Sequence, residues 1–297
     1  MRISVIVTNW NGINLLKKYL EKVLTTSPEA LEVILADDAS TDDSLNFARS
    51  LQKKYPKLKI IAHKKNQGFG RNTNDAVRKS KGDYVVLLNS DIDPHKNYIK
   101  NSLYHFKDPK VIGVGFAELG HENYARLFWK NGYLQFEPGT SKKTHISAWI
   151  SGGSAILRKD YFLKLGGFDH VYEPFYFEDF DFGLRAWRSG YTLLWEPKSV
   201  VEHKHESTIS KFPKKHLIYV KERNHLISVL RNVTDKKLLF ENFIFSHLRI
   251  LSGPNYLKII LAARRQLKKY PAPICTQERS DRDLLKMFQK WDQSNLA

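Results

Sequence analysis

The residues with most to offer chemically are acidic and come in short groups. Asp91 and Asp93 directly follow an apolar run, at a spacing that lets two carboxylates reach one hard cation. Mg2+ or Mn2+ suits such oxygen ligands, with diphosphate oxygens and water filling the remaining positions. Asp-Pro is also a common way to open a helix, so capping stays open as a role for Asp93 before Pro94. Glu178, Asp179 and Asp181 sit among Phe175, Tyr176, Phe177, Phe180 and Phe182. Consecutive positions cannot all face solvent, so at least one of these carboxyls is expected to be buried or half-buried. Burial lifts a carboxyl's pKa towards the range of a general base. The alternative is helix capping by Glu178 or Asp179, and Asp181 reads as the structural partner of Arg185, four residues on.

Weaker signals surround these. Asp37 and Asp38 precede Ser40 and could be turn chemistry or carboxylates facing a base N–H or a ribose hydroxyl. Asn66, Gly68 and Arg71 could set flexible backbone and a cation beside phosphate, or form a glycine turn with a solvated arginine. His203 and His205 follow the apolar pair Val200-Val201. A histidine there could complete a metal site with Asp91 or be an ordinary loop residue.

Alternating elements must position these groups. Residues 3–7 form a β-branched run, and apolar residues then recur at helical spacing from Leu15 to Leu24. Residues 33–35 read as a second strand, 40–43 as a helix start, 58–62 as a third strand and 73–79 as a helix. Residues 84–88 form a continuous apolar run of the kind a strand covered on both faces shows. Strand-helix alternation implies a right-handed, doubly wound parallel sheet. Ligands of such sheets sit beyond the carboxyl ends of the strands, where the loops here are polar: Thr8-Asn9-Trp10, Asp37-Asp38, Asn66 to Arg71 and Asn89-Ser90-Asp91. Short strands are expected at 111–116, 155–157 and 193–195, with a helix at 180–189. From about Phe212 the periodicity is helical throughout.

The 297 residues, 42% of them apolar and 12% aromatic, suffice for one large α/β domain and an appendage. Lys and Arg number 48 against 31 Asp and Glu, giving a positive surface that attracts nucleotide phosphates, nucleic acid or anionic lipid. A single cysteine, Cys275, cannot form an internal disulfide. The opening residues read as a strand rather than a signal peptide, and no run of eighteen apolar residues occurs, so a cytoplasmic location is expected, with any membrane contact peripheral. A boundary is placed near Thr208, dividing residues 1–208 from a basic helical appendage, 209–297.

Taken together, these residues resemble the large family of inverting glycosyltransferases with the GT-A fold, which includes bacterial rhamnosyl-, galactofuranosyl- and polysaccharide-building transferases. The blocks that carry the resemblance are Ser4 to Gly12, Asp37-Asp38-Ala39-Ser40-Thr41-Asp42, Asn66-Gln67-Gly68-Phe69-Gly70 and Leu87-Leu88-Asn89-Ser90-Asp91. Further along, Ser151-Gly152-Gly153-Ser154, Gly166-Gly167-Phe168-Asp169, Phe177-Glu178-Asp179-Phe180-Asp181 and Val201-Glu202-His203 continue it, so the match runs from about residue 3 to 210. The order and spacing of the blocks make it specific. One departure stands out: Asn89 occupies the first place of the usual Asp-x-Asp, and Asp91-Ile92-Asp93 offers a second register.

The resemblance implies an α/β fold of GT-A type, a doubly wound, mostly parallel sheet flanked by helices, here with the basic helical appendage. It implies that Thr8, Asn9, Asp37, Asp38, Asn66, Gly68, Arg71 and Asn89 hold a nucleotide-sugar donor, that Asp91, with Asp93 or His203, holds Mg2+ or Mn2+, and that Asp179 beside Glu178 is the base. The expected reaction is sugar transfer to the hydroxyl of a glycan or lipid-linked glycan, with inversion, in bacterial cell-surface glycan synthesis. A glycoside hydrolase would have no use for a nucleotide site. A basic nucleic-acid-binding protein is the alternative, although no module of that kind is recognisable and no nucleic acid is expected as partner. Residues 205–297 hold eighteen Lys and Arg against eight acids. Phe240, Phe243, Ile244 and Phe245 near Lys236 and Lys237, and the basic amphipathic stretch 257–269, read either as an anionic membrane contact at the inner face of the cell membrane or as a helical cap on the catalytic domain.

Overall fold

The computed structural model describes residues 1–121, 124–203, 212–253, 255–273 and 275–294. The expected boundary near Thr208, and His205, lie outside them.

The first half alternates as the apolar runs predict: β1 (Ile3–Asn9), α1 (Ile13–Thr26), β2 (Glu32–Asp37), α2 (Ser44–Lys54), β3 (Leu58–Ala62), α3 (Phe69–Lys79) and β4 (Tyr84–Asn89). The four strands run parallel in the order β3-β2-β1-β4. Alternate side chains of each strand enter different cores. Ile6, Ile34, Val85 and Leu87 join one cluster, while Val5, Val33, Leu35, Val86 and Leu88 join another with Leu16, Leu20 and Val23 of α1. Burial on both faces is what makes these runs continuous rather than alternating. Helix α3 begins at Phe69, earlier than the spacing from Thr73 suggests, because Gly68 takes φ +86 and its carbonyl accepts the Asn72 N–H (3.0 Å). Arg71 is therefore a helical residue rather than a loop cation.

The second half is mixed. It comprises β5 (Ile92–Pro94), α4 (Lys100–Leu103), β6 (Val111–Glu118), the hairpin β7 (Tyr124–Lys130) and β8 (Tyr133–Gly139), β9 (His145–Ile146), β10 (Ser154–Arg158), α5 (Lys159–Lys164), α6 (Glu178–Arg188) and β11 (Thr192–His203). The sheet continues β4-β10-β6-β11-β5, with β10 antiparallel to both neighbours and β6 parallel to β11. Asp93 and Pro94 do not open a helix: they lie in β5, paired antiparallel with Glu202 and Val201 of β11.

The basic segment forms α7 (Lys214–Asn232), α8 (Lys236–Ser252), α9 (Asn255–Lys269) and α10 (Asp281–Ser294). Leu226, Ile227, Val229, Tyr256, Ile260, Leu284 and Phe288 from these helices share one apolar core with Ala148, Phe162, Phe180 and Trp187.

Candidate active site

The sheet's switch from parallel to antiparallel pairing lies at β4, and a cavity of about 350 Å3 opens beside that strand's carboxyl end. Its wall includes Thr8, Asn9, Asp38, Asn66, Gly68, Asn89, Asp91, Glu178 and Asp179, all singled out in the sequence. Asp37, Arg71, Asp93 and His203 do not line it.

At the β1 and β2 ends polar side chains build the floor. Thr8 Oγ1 donates to Asn89 Oδ1 (3.3 Å), and Asn9 Nδ2 donates to Asp37 Oδ2 (2.8 Å). Asp37 is fully buried, and its carboxylate also accepts the Ser40 N–H (2.9 Å) and hydroxyl (2.7 Å). It folds the loop rather than facing a ligand. Asp38 accepts the N–H groups of Gln67 (2.9 Å) and Gly68 (2.8 Å). Burial pushes its carboxyl up, against the downward pull of those two N–H groups. Asn66 Oδ1 accepts the Gly68 N–H (3.1 Å), so this turn is held from both sides. Arg71 pairs with Glu173 and is turned towards Tyr270, not towards the cavity.

Asn89 ends β4 and packs flat against Gly153, where any Cβ would fall 2.3 Å from Asn89 Nδ2. That contact gives Gly153 its structural reason. Asp91 follows, buried, with Oδ1 3.2 Å from His203 Nε2. The other nitrogen, Nδ1, lies 2.9 Å from Glu118 Oε2. Burial alone would lower the His203 pKa, but hydrogen bonds to Asp91 and Glu118 outweigh it and lift it to about 10. Asp93 does not line the cavity and forms a 2.5 Å salt bridge with Lys22 of α1. Pairing of β5 with β11 brings His203 beside Asp91, while Lys22 takes Asp93.

The donor set fits a divalent cation at Asp91. Its Oδ2 is buried without a hydrogen-bond partner among the described residues, a position that a cation would satisfy. An imidazole facing Asp91 with one nitrogen and a carboxylate with the other has the arrangement that orients a metal-ligating histidine. No group of three or more His, Cys, Asp or Glu side chains among the described residues is placed to hold a cation. Among the described residues Asp91 and His203 would be the ligands, with phosphate oxygens and water able to fill further positions.

Across the cavity, Glu178 and Asp179 form the first turn of α6. The preceding Tyr176 and Phe177 both take positive φ, +70 and +80, an unfavourable conformation for aromatic residues. Asp179 Oδ1 accepts its neighbour Phe180's N–H (2.8 Å), and Oδ2 receives the longer Gly152 N–H (3.4 Å). Burial raises both carboxyls, and the charge of Asp179 raises Glu178 further. Asp181, by contrast, is fully buried and structural: it accepts Arg185 Nε (2.7 Å), the Tyr172 hydroxyl (2.9 Å) and Asn232 Nδ2 (2.8 Å).

Sequence reasoning missed Glu118, Asn72 and Phe212. Glu118 ends the apolar strand β6, so looking just past strand ends could have found it. Asn72 lies inside α3, and Phe212 enters the cavity wall from beyond the match.

A family model described as glycosyl transferase family 2 matches residues 4–166. N-acetylgalactosaminyltransferase 7 of Drosophila melanogaster is 24% identical over 233 residues, which is 68% of this chain but 39% of that protein. The N-acetylglucosaminyl-diphospho-decaprenol L-rhamnosyltransferase of Mycobacterium tuberculosis is 23% identical over 68% of this chain and 76% of its own. Among solved structures, GalNAc-T7 with UDP, GalNAc and Mn2+ aligns over 100% of this chain and 57% of that one, with TM-score 0.71 and 17% identity. At that identity the likeness establishes the fold.

Proposed function

The chain belongs to glycosyl transferase family 2, and from that premise we propose that it moves a sugar from a nucleoside-diphosphate sugar to an acceptor hydroxyl with inversion at the anomeric carbon. The observation that carries the reading is the cavity itself, whose lining brings together Asp91, with its Oδ2 unpartnered among the described residues, and the raised Glu178–Asp179 pair. Thr8, Asn9, Asp38, Asn66, Gly68 and Asn89 line the part of the cavity suited to a nucleoside. Asp91, aided by His203, would hold Mg2+ or Mn2+, which would neutralise charge gathering on the departing diphosphate. Asp93, paired with Lys22, is not a ligand in this reading.

Asp179 takes the acceptor hydroxyl proton as that oxygen forms a bond to the anomeric carbon. The bond from that carbon to the diphosphate breaks, and its electron pair leaves with the phosphate. Asp179 takes this role because it stands at the position that the resemblance implies, and burial raises it together with Glu178, which brings the pair towards the range of a general base. A single displacement inverts the centre. The acceptor in this reading is a glycan, free or lipid-linked, met in the cytoplasm or at the inner face of the cell membrane during surface glycan synthesis. Family membership favours this reading over a nucleic-acid-binding protein.

The test is a panel of nucleoside-diphosphate sugars assayed for binding with and without Mn2+. One donor should bind, and chelation should weaken it. Asp179→Asn should then keep donor affinity and lose about 100-fold or more of turnover. Full turnover by Asp179→Asn would remove the base assignment, and binding of no donor would remove the function.

A further inference from the structure

Helix α8 has two faces of different kinds. The inner face is fixed to the β7–β8 hairpin: Asn242 Nδ2 donates to Gly132 O (2.7 Å), Glu241 accepts the Trp129 indole N–H (2.9 Å), and Ser246 lies 3.0 Å from the Tyr133 hydroxyl. The outer face runs at helical spacing from Lys236 and Lys237 through Phe240, Phe243, Ile244 and Leu248 to Leu251. These apolar side chains are exposed, Phe240 by 64%, Phe243 by 52% and Leu251 by 84%. Beyond the turn, α9 adds exposed Leu257 and Leu261. So many exposed large apolar side chains on two adjoining helices mark a contact surface.

Charge decides which contact. Residues 236–269 contain eight Lys and Arg and one acid, Glu241, which faces Trp129 on the inner side. Lys236, Lys237, Lys258, Arg264, Arg265 and Lys268 are all exposed. A second copy docked through the same face would set these cations against one another, whereas a bilayer with anionic headgroups complements both the apolar strip and its basic surround. Among the described residues, no helix is long and apolar enough to cross a membrane.

We propose that the outer face of α8 and the start of α9 form a docking surface for anionic membranes, with Phe240, Phe243, Leu248 and Leu251 entering the interface and the lysines and arginines lying over the headgroups. The helices lie on the bilayer rather than through it. Strand β8 joins this surface to the catalytic helix: Tyr133 at its start meets α8, and Phe136 packs 5.3 Å from Phe180, next to Asp179. Docking here would hold the α6 carboxylates at a set position relative to the lipid surface. The proposal does not depend on the transferase reading, since membrane binding is measured without turnover.

The test is cosedimentation of the full chain with vesicles of phosphatidylcholine alone or mixed with phosphatidylglycerol. Binding is expected only with the anionic lipid, and it should weaken as salt rises. Phe243→Ser with Leu251→Ser should reduce binding roughly tenfold or more, as should Lys236→Glu with Lys237→Glu, all with the wild-type thermal midpoint. Absence of binding at low salt overturns the proposal. So does full binding by the Phe243 and Leu251 variant, or a stable dimer without lipid that the same variant dissociates, since the face would then belong to a second copy.

Discussion

Glu178 and Asp179 occupy one cavity wall, and each is raised by burial. A carboxyl raised in the folded state keeps its proton at pH values where the unfolded chain has already released it. Its stabilising effect is therefore complete below the ordinary carboxylate range and is lost as pH climbs through the folded value. Catalysis asks for the opposite, because Asp179 must be ionised to accept a proton. Turnover should thus rise across the window in which stability falls. Asp179→Asn is expected to raise the unfolding free energy at pH 8 by an amount on the order of 1 kcal/mol, and the thermal midpoint with it, with little change at pH 4. Scanning calorimetry at the two pH values checks this, and an equal shift at both would detach the effect from ionisation. How far such residues were legible in the sequence depends on how local their setting is. Asp91 was visible because it directly follows the buried run of β4. Its pairing with His203 stayed one of two open readings of the residues and was favoured only by the resemblance, because β5 and β11 are far apart in sequence and neither periodicity nor spacing specifies that they pair. For the same reason nothing in Asp91-Ile92-Asp93 reveals that β5 turns Asp93 onto Lys22.

The turn entering α6 is the element whose geometry most needs support, since two consecutive aromatic residues hold positive φ there. Such conformations cost about 1–3 kcal/mol each and persist only when their surroundings fix them. The support comes from α7. Asn224, fully buried, donates through Nδ2 to the carbonyls of Tyr172 (2.7 Å), Phe175 (2.9 Å) and Tyr176 (2.8 Å). His225 stacks on Phe177 at 5.2 Å and lies 2.6 Å from Leu134 O. A helix outside the family match thus acts as a positioning element for the carboxyls of α6. Asn224→Ala would leave buried carbonyls unpaired, at a stability cost of about 1–3 kcal/mol. It should also lower kcat at temperatures where the protein remains folded, while donor affinity changes little. Urea unfolding and steady-state kinetics separate the two effects, and an unchanged kcat would make Asn224 purely structural. The sequence exposed α7 as a helix through its apolar spacing, but an asparagine inside that spacing gives no hint of which carbonyls it meets.

At the scale of the molecule, composition changes character near residue 208, and a composition change reads as a boundary between units. What it cannot convey is where the helices beyond it pack. Leu226, Ile227, Tyr256, Leu284 and Phe288 lie in the same core as Phe180 and Trp187, with Trp187 and Phe288 edge to face at 5.3 Å. Buried polar groups cross the same junction. Asp281, at the start of α10, pairs with Arg188 at the end of α6 and accepts the N–H groups of Thr234 (2.8 Å) and Asp235 (2.7 Å) between α7 and α8. One carboxylate therefore ties three C-terminal helices to the helix that carries Asp179. We expect the two parts to unfold together, because neither can expose this junction without stranding Arg188 and opening the common core. Calorimetry should show one transition, and Asp281→Ala should move all of it to lower temperature at a stability cost of about 3–5 kcal/mol, since the buried guanidinium is left without its counter-ion. Two separated transitions, with only the lower one shifted by the variant, would instead mean that the helices form a unit of their own and that the strained turn before α6 keeps its shape without them.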